Sequence, residues 1–141
     1  MLTALTNFLT AILQKLKQEH LTASDYQKHL LYERIQKGID EDIDRVKEIA
    51  LACGYSETIA DAQASLLDAA DVLEEYPDLE SLIKQTIITI NQITEKLNDK
   101  NEAFDGVFNE YTAKEAIINM CGDIAEKRTR DLYLLRFGGN K

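Results

Sequence analysis

Both histidines of the chain lie within residues 20–48, where carboxylates follow at helical spacing. Glu33 comes four residues after His29, and Glu48 comes four residues after Asp44. Because four residues make about one turn of an α-helix, the two side chains of each pair project from one face. Imidazole nitrogens and carboxylate oxygens are ligands of divalent transition metals. Each pair therefore predicts a place where one metal ion could be held.

Long helices must hold these side chains in position. The 141 residues include one proline and six glycines, so few breaks are expected, and the length suits one core. We therefore predict a single all-α domain over residues 1–141. Apolar residues recur at helical spacing in four long segments, which run from about Thr3 to His20, Ser24 to Cys53, Leu79 to Asn98 and Thr112 to Phe137.

Local signals indicate where the helices begin and how they connect. Ser24 with Gln27, and Thr112 with Glu115, match capping boxes at helix starts. Residues 56–76 are rich in alanine and acidic residues and predict one or two short helical segments in a long connection. Four long helices with one crossover between the second and third predict a ferritin-like four-helix bundle. In such bundles the facing helices commonly carry metal-binding carboxylates.

Composition bears on partners and on location. The formal charge of −9 argues against nucleic acid as the main partner, which requires a basic surface, and is compatible with attracting cations. No stretch approaches the roughly 18 apolar residues of a membrane span, and the amphipathic N-terminal segment lacks the basic leader of a signal peptide. Cys53 and Cys121 lie far apart without CxxC spacing, which favours reduced core residues over a disulfide or a reactive thiol. We expect a cytoplasmic protein.

On a helical wheel the candidate ligands point away from the core face of their own helix. Taking His29 as zero and about 100° per residue, the three carboxylates Glu33, Asp44 and Glu48 fall near 40°, 60° and 100°. The apolar stripe of the same helix covers about 200° to 320° and comprises Leu31, Ile35, Ile39, Ile43 and Val46. These residues would therefore not form a metal cage inside one chain.

Distance along the helix divides the candidates into two groups. The midpoints of His29/Glu33 and Asp44/Glu48 are about fifteen residues apart, which corresponds to about 22 Å. One ion cannot bridge that distance, whereas two copies packed antiparallel across a two-fold axis could bring opposite ends together. The sequence thus predicts two equivalent sites per dimer, each shared between subunits. His20 would approach His29 through the short turn that follows the first helix.

The order of these residues resembles the Dps-like branch of the ferritin superfamily. The matching positions are His20, His29, Glu33, Asp44 and Glu48, and the last two lie within D-RVK-E. A short run that ends at Gly54 then closes the helix, as it does in that branch. The C-terminal NMCGDIAEKRTRDLYLLRF is also similar to the last helix of the family. Short relatives of this kind occur in bacteriophage genomes. The likeness covers most of the chain loosely and residues 20–54 specifically.

The resemblance implies a hollow homo-oligomeric shell, usually a dodecamer, in which non-haem iron is handled between subunits. Fe(II) would be oxidised there by hydrogen peroxide or dioxygen and stored as Fe(III), as a defence against oxidative stress. By this likeness His20 and His29 are metal ligands from one subunit. Glu33 is either a further metal ligand or a residue that supports a ligand without touching the metal itself. Asp44 and Glu48 are then the ligands from the two-fold mate. The lysine-rich tail with which many members bind DNA is not seen, so DNA binding is not expected.

Two further interpretations remain open. His29 and Glu33 could form an ordinary surface pair, in which case the chain is a non-enzymatic helical oligomerisation or adaptor protein with an acidic docking face. A basic group in the last helix complements the helix dipole and predicts a solvated face, with a salt bridge to another subunit as the alternative. This group comprises Lys127, Arg128, Arg130 and Arg136.

Overall fold

The computed structural model describes residues 2–23, 25–52, 59–98 and 110–138. These ranges form five α-helices and a short π-helical end, and they contain no strand. The elements are α1 (Leu2–Thr22), α2 (Tyr26–Ala52), α3 (Ile59–Glu75), α4 (Leu79–Asn98), α5 (Glu110–Tyr133) and the π-helical turn Leu134–Gly138. The all-α class predicted from the sequence is confirmed. None of the helices in the described ranges combines the length and apolar character that crossing a membrane requires.

Aspartates cap two of the helices. The Asp25 carboxylate accepts a hydrogen bond from the backbone N–H of Gln27 at 2.9 Å, so it satisfies a free donor in the first turn of α2. Asp78 does the same for Ser81 in α4 at 3.0 Å. Ser24, the predicted cap of α2, lies outside the described residues. The predicted cap Thr112 is wrong, because it lies inside α5, which begins two residues earlier.

Helix α1 lies at the centre of the packing. It contacts α2, α3 and α4, while α5 contacts α2 and α4, so α1, α2, α5 and α4 form a closed ring of neighbours. Its apolar face is fully buried against them, because leucine and isoleucine recur every three or four residues; this face consists of Leu5, Leu9, Ile12 and Leu16. The long connection between α2 and α4 contains α3, which packs against α1.

Side-chain contacts give the relative directions of the helices. Gln36 of α2 donates to the backbone carbonyl of Leu16 in α1 at 3.5 Å, while His20 of α1 lies beside His29 of α2. Later residues of α1 thus meet earlier residues of α2, and the two helices are antiparallel. Helices α2 and α5 are also antiparallel, since Asp42 pairs with Arg128 whereas Arg45 pairs with Asp123.

A buried ion-pair network joins α2 to α5. The Asp42 side chain is 1% exposed and accepts hydrogen bonds from Arg128 Nη1 at 2.9 Å and from Lys127 Nζ at 3.0 Å. Arg128 Nε lies 2.9 Å from an oxygen of Asp131, close enough for an ion pair but not aligned for a hydrogen bond. The predicted solvated basic face is therefore wrong at Arg128, which is on the same helical face as the buried Ile124.

Substitution of Asp42 by alanine should destabilise the protein strongly. The change leaves the buried Arg128 guanidinium without its main partner, a loss that typically costs about 3–5 kcal/mol. Urea unfolding at fixed protein concentration would measure it. Glu41→Ala, at an exposed position of the same helix, is the matched control and should change the free energy of unfolding by less than about 0.5 kcal/mol. Equal effects of the two substitutions would contradict the structural role of the pair.

Cys121 should be inert in the native protein. Burial raises the pKa of its thiol to about 11, so the reactive thiolate is disfavoured at neutral pH. In a Cys53→Ser background, iodoacetamide at about pH 8 should leave the native chain unlabelled and label it after unfolding in urea. Mass spectrometry would follow the labelling. Equally fast labelling of native and unfolded chains would contradict the burial of Cys121.

Candidate metal centre

The turn between α1 and α2 brings the two histidines together. His20 lies in the last turn of α1 and His29 in the first turns of α2, and only residues 23–25 separate the antiparallel helices. Their Nε2 atoms are 3.1 Å apart, their ring centroids 3.9 Å apart, and the ring planes are inclined by 33°. Both side chains are half-buried. The approach predicted from the short turn is therefore present.

The separation of the two nitrogens suits a shared metal ion. With metal–nitrogen distances of about 2.0–2.1 Å, two nitrogens in adjacent coordination positions stand about 2.9–3.4 Å apart. The observed 3.1 Å lies in this range. It also suits a hydrogen bond between two neutral imidazoles, in which one nitrogen donates and the other accepts. The distance therefore permits metal binding but does not require it.

Glu33 adds a carboxylate to the pair. It lies one helical turn after His29, and one ligand atom each from Glu33, His29 and His20 fall within 4.8 Å of one another. This is the one such group in the described part of the chain. Two imidazoles and one carboxylate form the donor set of many non-haem Fe(II) sites, in which the other coordination positions stay open. We call these three residues the histidine cluster.

Asp44 and Glu48 are not part of the histidine cluster. Both are exposed on α2, further along the same continuous helix, so the rise of the helix places them about 22 Å from it. We call them the carboxylate pair. Because both groups lie on one continuous helix, they cannot meet within one chain. The structure thus unites three of the five predicted site residues and leaves two apart.

Exposed apolar side chains surround the histidine cluster. Leu21 is 83% exposed, Tyr26 is 73% exposed and Leu30 is 44% exposed. Tyr26 stacks against His29 with ring planes inclined by 11° and centroids 6.4 Å apart. Such a grouping around polar residues is typical of an interaction surface. The sequence reading missed Leu30, although its wheel position, about 100° from His29, places it outside the core stripe.

Tyr32, unlike Tyr26, packs against the core. Partial burial and, secondarily, the nearby Glu19 carboxylate raise the pKa of its phenol. The phenol therefore stays protonated at neutral pH. Its position supports the packing of α2 on α1 close to the histidine cluster.

The sequence reading also missed Asp42, whose buried partner is Arg128. Asp42 falls at about 220° on the wheel, within the apolar stripe of α2, and this is the signal that could have revealed it. A carboxylate at a core-facing position requires a buried partner. The packing of α5 against α2 decides that this partner is Arg128.

Comparison of the chain with family models, with curated proteins and with solved structures gives no match.

The histidine cluster should bind a divalent transition metal in the absence of any redox reaction. Cobalt(II), titrated into the metal-free protein, should give the visible absorption bands of imidazole-ligated cobalt and saturate. His20→Ala and His29→Ala should each weaken cobalt binding more than about tenfold. Loss of a residue that only hydrogen-bonds to a metal ligand already costs about tenfold in affinity, and loss of a ligand itself should cost more. Lys28→Ala is the neighbouring control and should bind as the wild type does. Unaltered cobalt spectra in both histidine variants would exclude the cluster as a metal site.

Proposed function

We propose that this chain is a Dps-type ferritin-like protein that oxidises Fe(II) at sites shared between subunits and stores the iron in a hollow shell. The observation that carries the proposal is the separation of the histidine cluster from the carboxylate pair on one helix, about 22 Å apart. Each group is an incomplete ligand set. Two antiparallel copies of α2 across a two-fold axis would complete two centres at once. The shell would be a homo-oligomer, a dodecamer by the family resemblance, acting in the cytoplasm.

The order and neighbours of the helices support the ferritin-like part of this proposal. Helices α1 and α2 are antiparallel, a long connection containing α3 leads to α4, and α5 closes the ring beside α2 and α4. One long crossover in a four-helix ring is the connectivity of ferritin-like bundles. In those proteins metal ligands come from helices of the bundle, as the candidate ligands do here.

The surface of α2 supports an interface over the candidate ligands. Tyr26, Leu30 and Leu51 are exposed and fall about 60°, 100° and 40° from His29 on the wheel, the same side as the ligands. Leu30 is near the histidine cluster, and Leu51 follows Glu48 by three residues. Each half of the proposed centre therefore has an exposed apolar neighbour. Antiparallel packing of two α2 helices would bury these side chains together with the ligands.

The donor types suit the proposed reaction. Imidazoles of His20 and His29 would hold Fe(II), and carboxylates would add negative charge that stabilises Fe(III) more than Fe(II). Two Fe(II) ions release two electrons, which reduce one hydrogen peroxide with two protons to two waters. Dioxygen is the alternative electron acceptor. The formal charge of −9 would draw the cations toward the protein.

Subunit mixing tests the shared centre directly. His29→Ala and Asp44→Ala should each abolish the protein's acceleration of Fe(II) oxidation, measured by the ultraviolet absorbance of Fe(III). When the two variants are unfolded, mixed and reassembled, half of the dimers are mixed and each has one intact centre. About one quarter of the wild-type activity should therefore return. Glu41→Ala, an exposed acidic position on the same helix, should be fully active.

Three results would contradict this proposal. Failure of the mixed protein to regain activity, with wild type active after the same unfolding and reassembly, would contradict a centre shared between subunits. Iron oxidation at the rate of buffer alone, by a wild-type protein of monomeric native mass, would exclude the ferroxidase. A wild type that assembles but does not oxidise iron would favour the adaptor interpretation, for which the exposed Leu30 and Leu51 would be docking residues.

A further inference from the structure

A basic pocket lies between α2 and α5, on a different side of α2 from the candidate metal ligands. Its volume is about 220 Å³, below the roughly 300–1,000 Å³ of sites for drug-sized ligands, so it suits a small ion. Arg34 and Gly38 line it from α2, about 140° and 180° from His29 on the wheel. The proposed metal chemistry makes no use of it.

The buried Arg128 presents an unused donor to this pocket. Its Nη1 donates to Asp42 and its Nε pairs with Asp131, whereas Nη2 has no hydrogen bond among the described residues. A side chain built on Gly38 would place its Cβ 3.9 Å from this Nη2, so the glycine leaves the guanidinium edge uncovered on the α2 side. Arginine carries five N–H donors, and an uncovered pair of them can bind an oxyanion.

The charges around the pocket are unbalanced. Four cationic side chains line it, against the carboxylate of Asp131 in the lining and that of Asp42 behind Arg128. The lining cations are Arg34, Lys127, Arg128 and Arg130. Lys127 and Arg128 are paired with Asp42, but Arg34 forms no ion pair within the described ranges, and Arg130 has only a loose 3.7 Å contact with the exposed Glu126. Two positive charges therefore remain in a protein that is strongly acidic overall.

Asp131 lies at the buried edge of the pocket. Burial raises the pKa of its carboxyl group, and the adjacent Arg128 opposes the rise only in part. Its ion pair with Nε of Arg128 holds the guanidinium in place.

We propose that the pocket binds a small oxyanion of the phosphate class, held by Nη2 of the buried Arg128 and by the exposed guanidinium groups of Arg34 and Arg130. The fixed guanidinium would orient one anion oxygen, because its other nitrogens are held by Asp42 and Asp131. Arg34 and Arg130 would close over the remaining oxygens from α2 and α5. This site is independent of the proposed iron chemistry and does not need a second subunit.

Calorimetric titration with inorganic phosphate tests the site. The full-length protein in its native assembly would be titrated with EDTA present, so that bound iron cannot hold the anion, in chloride buffer of matched ionic strength. Wild type should bind phosphate saturably at one ion per chain. Arg34→Gln combined with Arg130→Gln should weaken binding at least about tenfold, since two charge-assisted contacts are lost. Both positions are exposed, so this variant should fold.

Arg45→Gln is the matched control. It removes one positive charge from α2, the helix of Arg34, at a residue outside the pocket, and should bind phosphate as the wild type does. Absence of saturable binding by folded wild type would overturn the proposal, as would equal weakening in the control and the double variant. If the double variant had a smaller native mass and the wild type bound no phosphate, Arg34 and Arg130 would instead form salt bridges between subunits. That result would also overturn the proposal.

Discussion

The buried pair of Asp42 and Arg128 is the constraint on which the position of α5 depends. A carboxylate with 1% of its surface exposed is tolerated only because a guanidinium and an ammonium group meet it at hydrogen-bonding distance. Apolar packing alone allows helices to slide by a turn, whereas a buried charge requires its oppositely charged partners at one position along the neighbouring helix. The pair therefore fixes the register of α5 along α2. The basic pocket follows from the same contact, because it opens beside the uncovered edge of Arg128.

The faces of α2 have separate roles. One face is buried against α1 and contains the apolar stripe, and a neighbouring side, which contains Asp42, meets α5. The third face is exposed and contains the histidine cluster, the carboxylate pair and several apolar side chains. A helix that served only to cover a core would carry charged residues on this face. The mixture of ligands with exposed leucine and tyrosine fits a surface that is covered by another copy of the chain, as the proposed function requires.

The turn between α1 and α2 controls the geometry of the histidine cluster. Because the helices are antiparallel and the connection is short, the end of one meets the beginning of the other, and the imidazole nitrogens stand 3.1 Å apart. Asp25 caps α2 and fixes where the helix begins, which in turn sets the direction in which His29 projects. Glu33 follows from helical periodicity alone. The same periodicity keeps Asp44 and Glu48 at a distance that no side-chain movement could span.

Sequence alone determined the helical class, the bounds of α4 and the face of α2 on which the candidate ligands lie. These features depend on local periodicity, which follows directly from the order of the residues. It did not determine the cap of α5, the burial of Arg128 or the partner of Asp42, because these depend on which helices become neighbours. The position of Arg128 in a basic group near the end of the last helix predicted a solvated side chain that complements the helix dipole. Only the packing of α5 on α2 turned its guanidinium inward, since the energy of a buried charge is set by contacts distant in the chain.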